Sequence, residues 1–148
     1  MDYEILFRGK TEPTEDCESE WIFGDLLSNA YPTPNIRPIN YVSCYPVIRS
    51  TIGRYTGLTD KNGKKIFEGD ILDLSAIMIT DFGVVKFGEY KDNDMDDDIF
   101  GGHVGFYVDI KEMHYKRYYV RKDILFFVSR CKIIGNIHDN SELLKEDN

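Results

Sequence analysis

The sequence predicts a mainly β protein, all-β or α+β with little helix. Three observations predict it. Aromatic residues make up 14% of the 148 residues, with ten Tyr and nine Phe, and such side chains suit a pleated, half-buried surface. Turn signals built from Gly, Asp and Asn punctuate short apolar runs along the chain. Almost no stretch sustains a helical period, so about eight to ten short strands account for the apolar pattern. Apolar residues at 42% are enough for a core and argue against disorder. The length fits one domain over 1–148, with a subdivision into an N-terminal hairpin and loop, 1–45, and a β-barrel-like body, 46–148.

The elements follow in order. Tyr3 to Phe7 alternates and reads as a strand, and the polar run Gly9 to Ser19 reads as a loop. Trp21 to Leu27 is apolar with Gly24 inside it, which predicts a strand with a bend or bulge. Pro32, Pro34, Pro38 and Pro46 make Asn29 to Pro46 a loop or extended connection. Val47 to Arg54 resumes strand character. Ile77 to Thr80 and Phe82 to Gly88 read as strands, as do Val104 to Ile110, Ile124 to Val128 and Lys132 to Ile137, the last with a bulge or turn at Gly135-Asn136. Ser141 caps a terminal helical turn through Leu144. The order of strand, Gly-Asp, strand, Gly-Val-Val strand is typical of small SH3-like barrels, a fold analogy that carries no function by itself. Ile22 to Leu27 is similar to Ile66 to Leu72 if Glu68 is an inserted residue, which suggests two similar β hairpins but is too short to establish a repeat.

The densest turn signals lie in Gly53 to Leu72. Asp60-Lys61-Asn62-Gly63 is a turn with a mechanism. Asp60 can bond its own backbone two residues on, and Asn62 and Gly63 tolerate positive φ. Glu68-Gly69-Asp70 makes a second break before the strand from Ile71. A Walker A reading of Gly57 and Gly63-Lys64 fails: five residues separate the glycines instead of four, Lys65 replaces the Ser or Thr, and a strand follows instead of a helix.

Thr56-Gly57-Leu58-Thr59-Asp60-Lys61-Asn62-Gly63-Lys64-Lys65-Ile66-Phe67-Glu68-Gly69-Asp70-Ile71-Leu72 resembles the signature of the YopX family of bacteriophage and prophage proteins. Ile5 to Lys10 with Trp21 to Leu26 is similar to the family's opening, and Ile133 to Leu144 to its close. Residues 28–45 and 76–130 carry little of the pattern. The resemblance implies a YopX-like fold and an accessory protein of a phage or prophage in the bacterial host cytoplasm. It implies no reaction, because the family has no established activity.

Charge bounds the partners. The net charge of −8 argues against a general affinity for nucleic acid, which rests on Lys and Arg neutralising phosphates, and against an anionic membrane surface. It leaves room for a local basic patch. Asp2 and Glu4 stand where a signal peptide would carry a basic n-region, and no apolar run approaches the length of a membrane span. Cys17, Cys44 and Cys131 are far apart and lack the His and Cys spacing of a zinc site, so they read as reduced thiols in the cytoplasm.

Catalytic motifs are missing. No G-x-S-x-G, H-E-x-x-H, deaminase or Rossmann fingerprint occurs, and His103, His114 and His138 stand alone. No cofactor is expected. Glu89, Asp92, Asp94, Asp96, Asp97 and Asp98 form an acidic loop. As a calcium loop it fails at the required Gly and at the closing Glu, so it reads as solvated. Asp60, Glu68 and Asp70 could be paired carboxylates of a hydrolase, but turn and strand-end acids are the ordinary reading. The residues of the family signature that could form a surface are Tyr55, Thr56, Asp60, Lys61, Asn62, Gly63, Glu68 and Asp70. From Lys111 to Lys132 the charge reverses, with Tyr interleaved. Lys116, Arg117, Tyr118, Arg121 and Lys122 could meet a partner or stack on single-stranded nucleic acid, although alternation on a sheet explains the pattern too. The reading that follows is a non-enzymatic protein-binding accessory protein, whose partner is a host or phage protein or a second copy. The alternative is a nucleic-acid-binding or transcription-modulating protein using residues 111–132.

Overall fold

The computed structural model describes residues 4–29, 31–77, 82–91, 102–110 and 122–144. The chain divides into two compact units, Met1–Gly57 and Leu58–Asn148. Both are antiparallel β structures whose helical content is three short 3-10 turns among the described residues. The mainly β class holds.

In the N-terminal unit, strands β1 (Phe7–Lys10), β2 (Trp21–Leu27), β3 (Asn35–Pro38), β4 (Tyr45–Pro46) and β5 (Gly53–Thr59) lie in the order β4-β3-β2-β1-β5. The first strand is displaced from its predicted place and runs into the polar segment, ending at Lys10. β1 and β2 form the N-terminal hairpin, pairing Phe7 with Gly24 through Lys10 with Trp21. The loop between them closes on itself, with the Thr11 amide donating to the Glu20 carbonyl at 3.0 Å. Ile36 and Val47 are buried, and Val47 lies over Gly9.

Gly24 is not a bulge. β2 pairs without a register shift on both sides, Gly24 facing Phe7 in β1 and Pro38 in β3. A Cβ at Gly24 would lie 2.0 Å from the Arg37 carbonyl oxygen. The glycine is there because β3 approaches too closely for any side chain. The proline-rich segment also differs from expectation, since it contributes β3 and β4. Pro38 ends β3 and Pro46 sits on the outer strand β4, positions where a missing N–H costs no ladder bond.

β5 runs to Thr59, and the turn at 60–63 leads into β6 (Lys65–Phe67) in the C-terminal unit. There β7 (Asp70–Asp73), β8 (Phe82–Tyr90), β9 (His103–Asp109) and β10 (Lys132–Asn136) form a sheet in the order β10-β7-β8-β9. β7 is paired on both edges. Accordingly its Ile71 and Leu72 are fully buried, with Leu74 just beyond, on a nearly continuous apolar run. The core gathers Ile66, Leu72, Leu74, Val85, Val108, Ile110, Ile124, Phe127 and Cys131.

Two further expectations change. Ile124 to Val128 is not a strand: Ile124–Phe126 is a 3-10 turn, continued by bonds from the Arg130 and Cys131 amides to the Phe127 carbonyl. Ile124, Phe127 and Cys131 all point inward, a spacing of three and four that is helical. The suggested hairpin repeat also fails. Residues 22–27 lie within one uninterrupted strand, whereas 66–72 turn at Glu68-Gly69, with Gly69 at φ +94°. Ile77 is described, but the rest of the strand expected to Thr80 lies outside the described residues. A 3-10 turn over Ser141–Leu144 matches the helical turn expected there.

Candidate functional site

The signature stretch is a clamp built around two buried carboxylates. Asp60 is 6% exposed. Its Oδ1 accepts from the amides of Asn62 and Lys64, both at 2.9 Å, and its Oδ2 accepts from the Ile133 amide at 3.0 Å. One side chain therefore closes the turn and fastens it to β10, 73 residues away. The Lys61 amide adds a bond to the Cys131 carbonyl at 3.1 Å. Burial alone would raise the Asp60 pKa, but the bonds from Ile133, Lys64 and Asn62 outweigh it and hold the carboxyl below its ordinary value.

The second turn works similarly. Asp70 is 2% exposed, and its Oδ2 accepts from the Phe67 amide at 2.7 Å. Gly69 donates to the Val85 carbonyl and accepts from the Ile137 amide, so this turn too holds the end of β10. Asp70 stands opposite Asn136 in the ladder. Asn136 Oδ1 accepts from the His138 and Asp139 amides, and Asn140 Oδ1 accepts from the Asn136 amide at 3.1 Å. A Cβ on Gly135 would meet that Asn140 oxygen at 2.5 Å. The sequences at 60–70 and 133–140 thus form one interlocked structure. Burial raises the carboxyl pKa of half-buried Glu68.

The Asp60 and Asp70 carboxylates are engaged with backbone amides, as turn and strand-end acids are. The Cys131 thiol is buried in the core, and burial pushes its pKa up, away from the thiolate a nucleophile needs. Among the described residues no group of three or more His, Cys, Asp or Glu side chains is placed to hold a metal ion. The acidic loop at 92–98 lies outside the described residues.

The signature residues divide by place. Tyr55 is buried and Thr56 half-buried in the N-terminal unit. Lys61, Asn62 and Gly63 are exposed at the tip of the turn. Gly63, at φ +82° with open space around it, answers the turn's need for a left-handed residue. Of the basic Tyr-rich patch, Lys116, Arg117, Tyr118 and Arg121 lie outside the described residues. Lys122 lies beside β9, its carbonyl accepting from the Val108 amide at 2.8 Å.

A surface the sequence reading missed is the outer half of the β8–β9 ribbon. The two strands pair from Val84–Asp109 to Tyr90–His103. Side chains alternate across the ribbon, so Val85, Phe87 and Glu89 share one face with Val108, Phe106 and Val104. The Val85–Val108 pair is fully buried in the core, whereas Phe87 is 52% and Val104 77% exposed. The Phe87 and Phe106 rings meet edge to face, centroids 4.9 Å apart. On the other face Gly88 stands opposite Gly105, which clears the surface between their neighbours. Tyr107 and Tyr90 stack there at 4.9 Å, and Tyr90 meets His103 at 5.2 Å. Lys86 and Asp109 pair at 2.6 Å on this same face, and that hydrogen bond raises the Lys86 pKa. The two strands are readable from the sequence, whereas the point along them at which the core stops is not.

Among the described residues no helix is long and apolar enough to cross a membrane. Comparison with curated proteins finds no match. The family model described as YopX protein matches residues 29–145, which takes in both turns of the clamp and the Asn136–Asn140 knot but not the similar residues at 5–26. That match covers well over half of the sequence, and the chain belongs to the YopX family.

Proposed function

We propose that this chain is a non-enzymatic protein-binding module, with the outer half of the β8–β9 ribbon as its docking surface. The observation that supports this is a ribbon carrying exposed Phe87 and Val104 on one face and a Tyr107–Tyr90–His103 stack on the other. Apolar and aromatic side chains of this kind supply the buried centre of protein interfaces. The engagement of Asp60 and Asp70 with backbone amides supports the non-enzymatic part of the reading. The biological setting is that of a phage or prophage accessory protein in the host cytoplasm, and the partner is a host or phage protein, or a second copy.

The test is capture of the tagged chain from host cells, comparing wild type with the Phe87→Ser, Val104→Glu double variant. Both side chains are exposed, so the fold should survive, and near-UV circular dichroism checks it. We expect a stoichiometric protein, or a doubled solution mass of the chain itself, that is lost in the variant. Recovery of the same partner by both proteins would remove the ribbon from the interface. Nuclease-sensitive material in place of protein would overturn the reading in favour of the basic segment 111–132.

A further inference from the structure

The clamp has an outward side that composition conceals. Closing the turn with the Asp60 carboxylate sends the acid inward and leaves Lys61 and Lys64 exposed. The same carboxylate bonds the Ile133 amide, and Lys61 bonds the Cys131 carbonyl, which brings the turn beside Arg130 and Lys132, both exposed. The electrostatics agree. Lys61 and Arg130 both act on the Cys131 thiol, and Lys132 and Lys61 both act on Asp73. Four cations from two distant segments therefore share one neighbourhood. The nearby acids offset them only in part. Asp60 and Asp73 are both held as carboxylates by the bonds they accept, and these two charges stand against four cations. In a chain with 18 basic and 26 acidic residues, this is a concentration of charge against the average. A docking segment senses charges within a Debye length, about 8 Å at physiological salt, so the local sign governs and not the net charge.

Exposed apolar side chains flank the second of these segments along the chain. Leu125 is 65% exposed in the turn before Arg130, whose guanidinium lies 5.4 Å from the Phe126 ring centre. Ile134 is 38% exposed at the irregularity in β10, next to the residue that Asp60 holds. Branched aliphatic side chains give nucleobases no flat platform to stack on, but they suit an apolar anchor ringed by charge. We propose that Lys61, Lys64, Arg130 and Lys132, with Leu125 and Ile134, form a docking surface for an acidic segment of a partner protein that carries leucine-like anchors. The proposal rests on the reading of the chain as a protein binder and gives it a second, electrostatic surface apart from the β8–β9 ribbon.

The experiment uses the full chain and three labelled probes: an acidic peptide of Glu and Leu, an all-Glu peptide of the same charge, and oligothymidylate. Fluorescence anisotropy reads binding at two salt concentrations. The Glu–Leu peptide should bind best, with affinity falling as salt rises. Lys61→Glu with Lys132→Glu should weaken it by about tenfold or more, and Leu125→Ser should weaken it with the charge intact. The ribbon variant Phe87→Ser should bind the peptide as wild type does, so failure of the ribbon reading and failure of this one are distinguishable. Lys61→Ala with Lys132→Ala repeats the test if charge reversal perturbs the fold. Equal binding of all three probes, tighter binding of oligothymidylate, or unchanged affinity in the lysine variants would overturn the proposal.

Discussion

Asp60→Ala should destabilise the C-terminal unit by about 3–5 kcal/mol, because three amides lose a charged acceptor at once and those left buried are unsatisfied. The amides are those of Asn62, Lys64 and Ile133. Urea unfolding at neutral pH measures the loss. Asp60→Asn is the sharper variant. Its carbonyl can still accept from Asn62 and Lys64, but its NH2 group faces the Ile133 amide, donor to donor, so most of the cross-link should go while the turn persists. The two variants also predict a pH signature. The folded-state pKa of Asp60 is depressed below its unfolded value, near 3.9 for a free side chain in model peptides, roughly. Its contribution is then complete above the unfolded pKa and is lost as pH falls through the folded one. The stability gap between wild type and Asp60→Asn should accordingly narrow on acidification below about pH 4. A gap that is constant with pH would show that the Asp60 charge is not what holds β10.

Gly24→Ala should be the most disruptive single-methyl change in the N-terminal unit, costing about 3 kcal/mol or more. The added Cβ would sit 2.0 Å from the Arg37 carbonyl oxygen and 2.9 Å from the Pro38 Cα. Both obstacles are backbone, so no rotamer change relieves them. β2 and β3 must separate, and the pairs from Gly24–Pro38 to Leu27–Asn35 weaken together. Ile36, fully buried and paired with Leu26, would lose its seat. Thermal unfolding of the variant, with amide exchange of residues 24–27 and 35–37, checks the prediction. Wild-type stability would mean that β3 is not held against Gly24.

How far the sequence reveals this molecule depends on the range of the interaction that decides each element. The turn at 60–63 was legible because its logic is local: Asp60 bonds amides two and four residues on, and Gly63 supplies the positive φ. The third bond, to Ile133, was not legible, because nothing in the spacing of residues 60 and 133 announces a contact. The bend or bulge expected at Gly24 fails for the same reason: a glycine in a strand signals either a bend or a close neighbour, and only the position of Arg37 decides between them. The strand expected over Ile124 to Val128 fails by period. Its aromatic and β-branched content favours a strand, but the inward positions 124, 127 and 131 are helical in spacing. The ribbon surface was hidden because exposure is tertiary. Phe87 and Val85 are on one face of one strand, and only the extent of the core separates 52% exposure from complete burial. The basic cluster joins the turn at 60–64 to the end of the basic segment 111–132, and the bonds that bring them together, from Asp60 and Lys61 to residues 131–133, are long-range.

The family signature builds a structural clamp whose inward acids hold β10. Amide hydrogen exchange of Asn62, Lys64 and Ile133 in wild type and Asp60→Asn, under conditions where both are folded, tests it most directly. The clamp predicts slow exchange of the Ile133 amide in wild type and a large acceleration in the variant, with the Asn62 and Lys64 amides changing less. Equal protection of the Ile133 amide in both proteins would contradict it and return Asp60 to the list of residues free to act on a ligand.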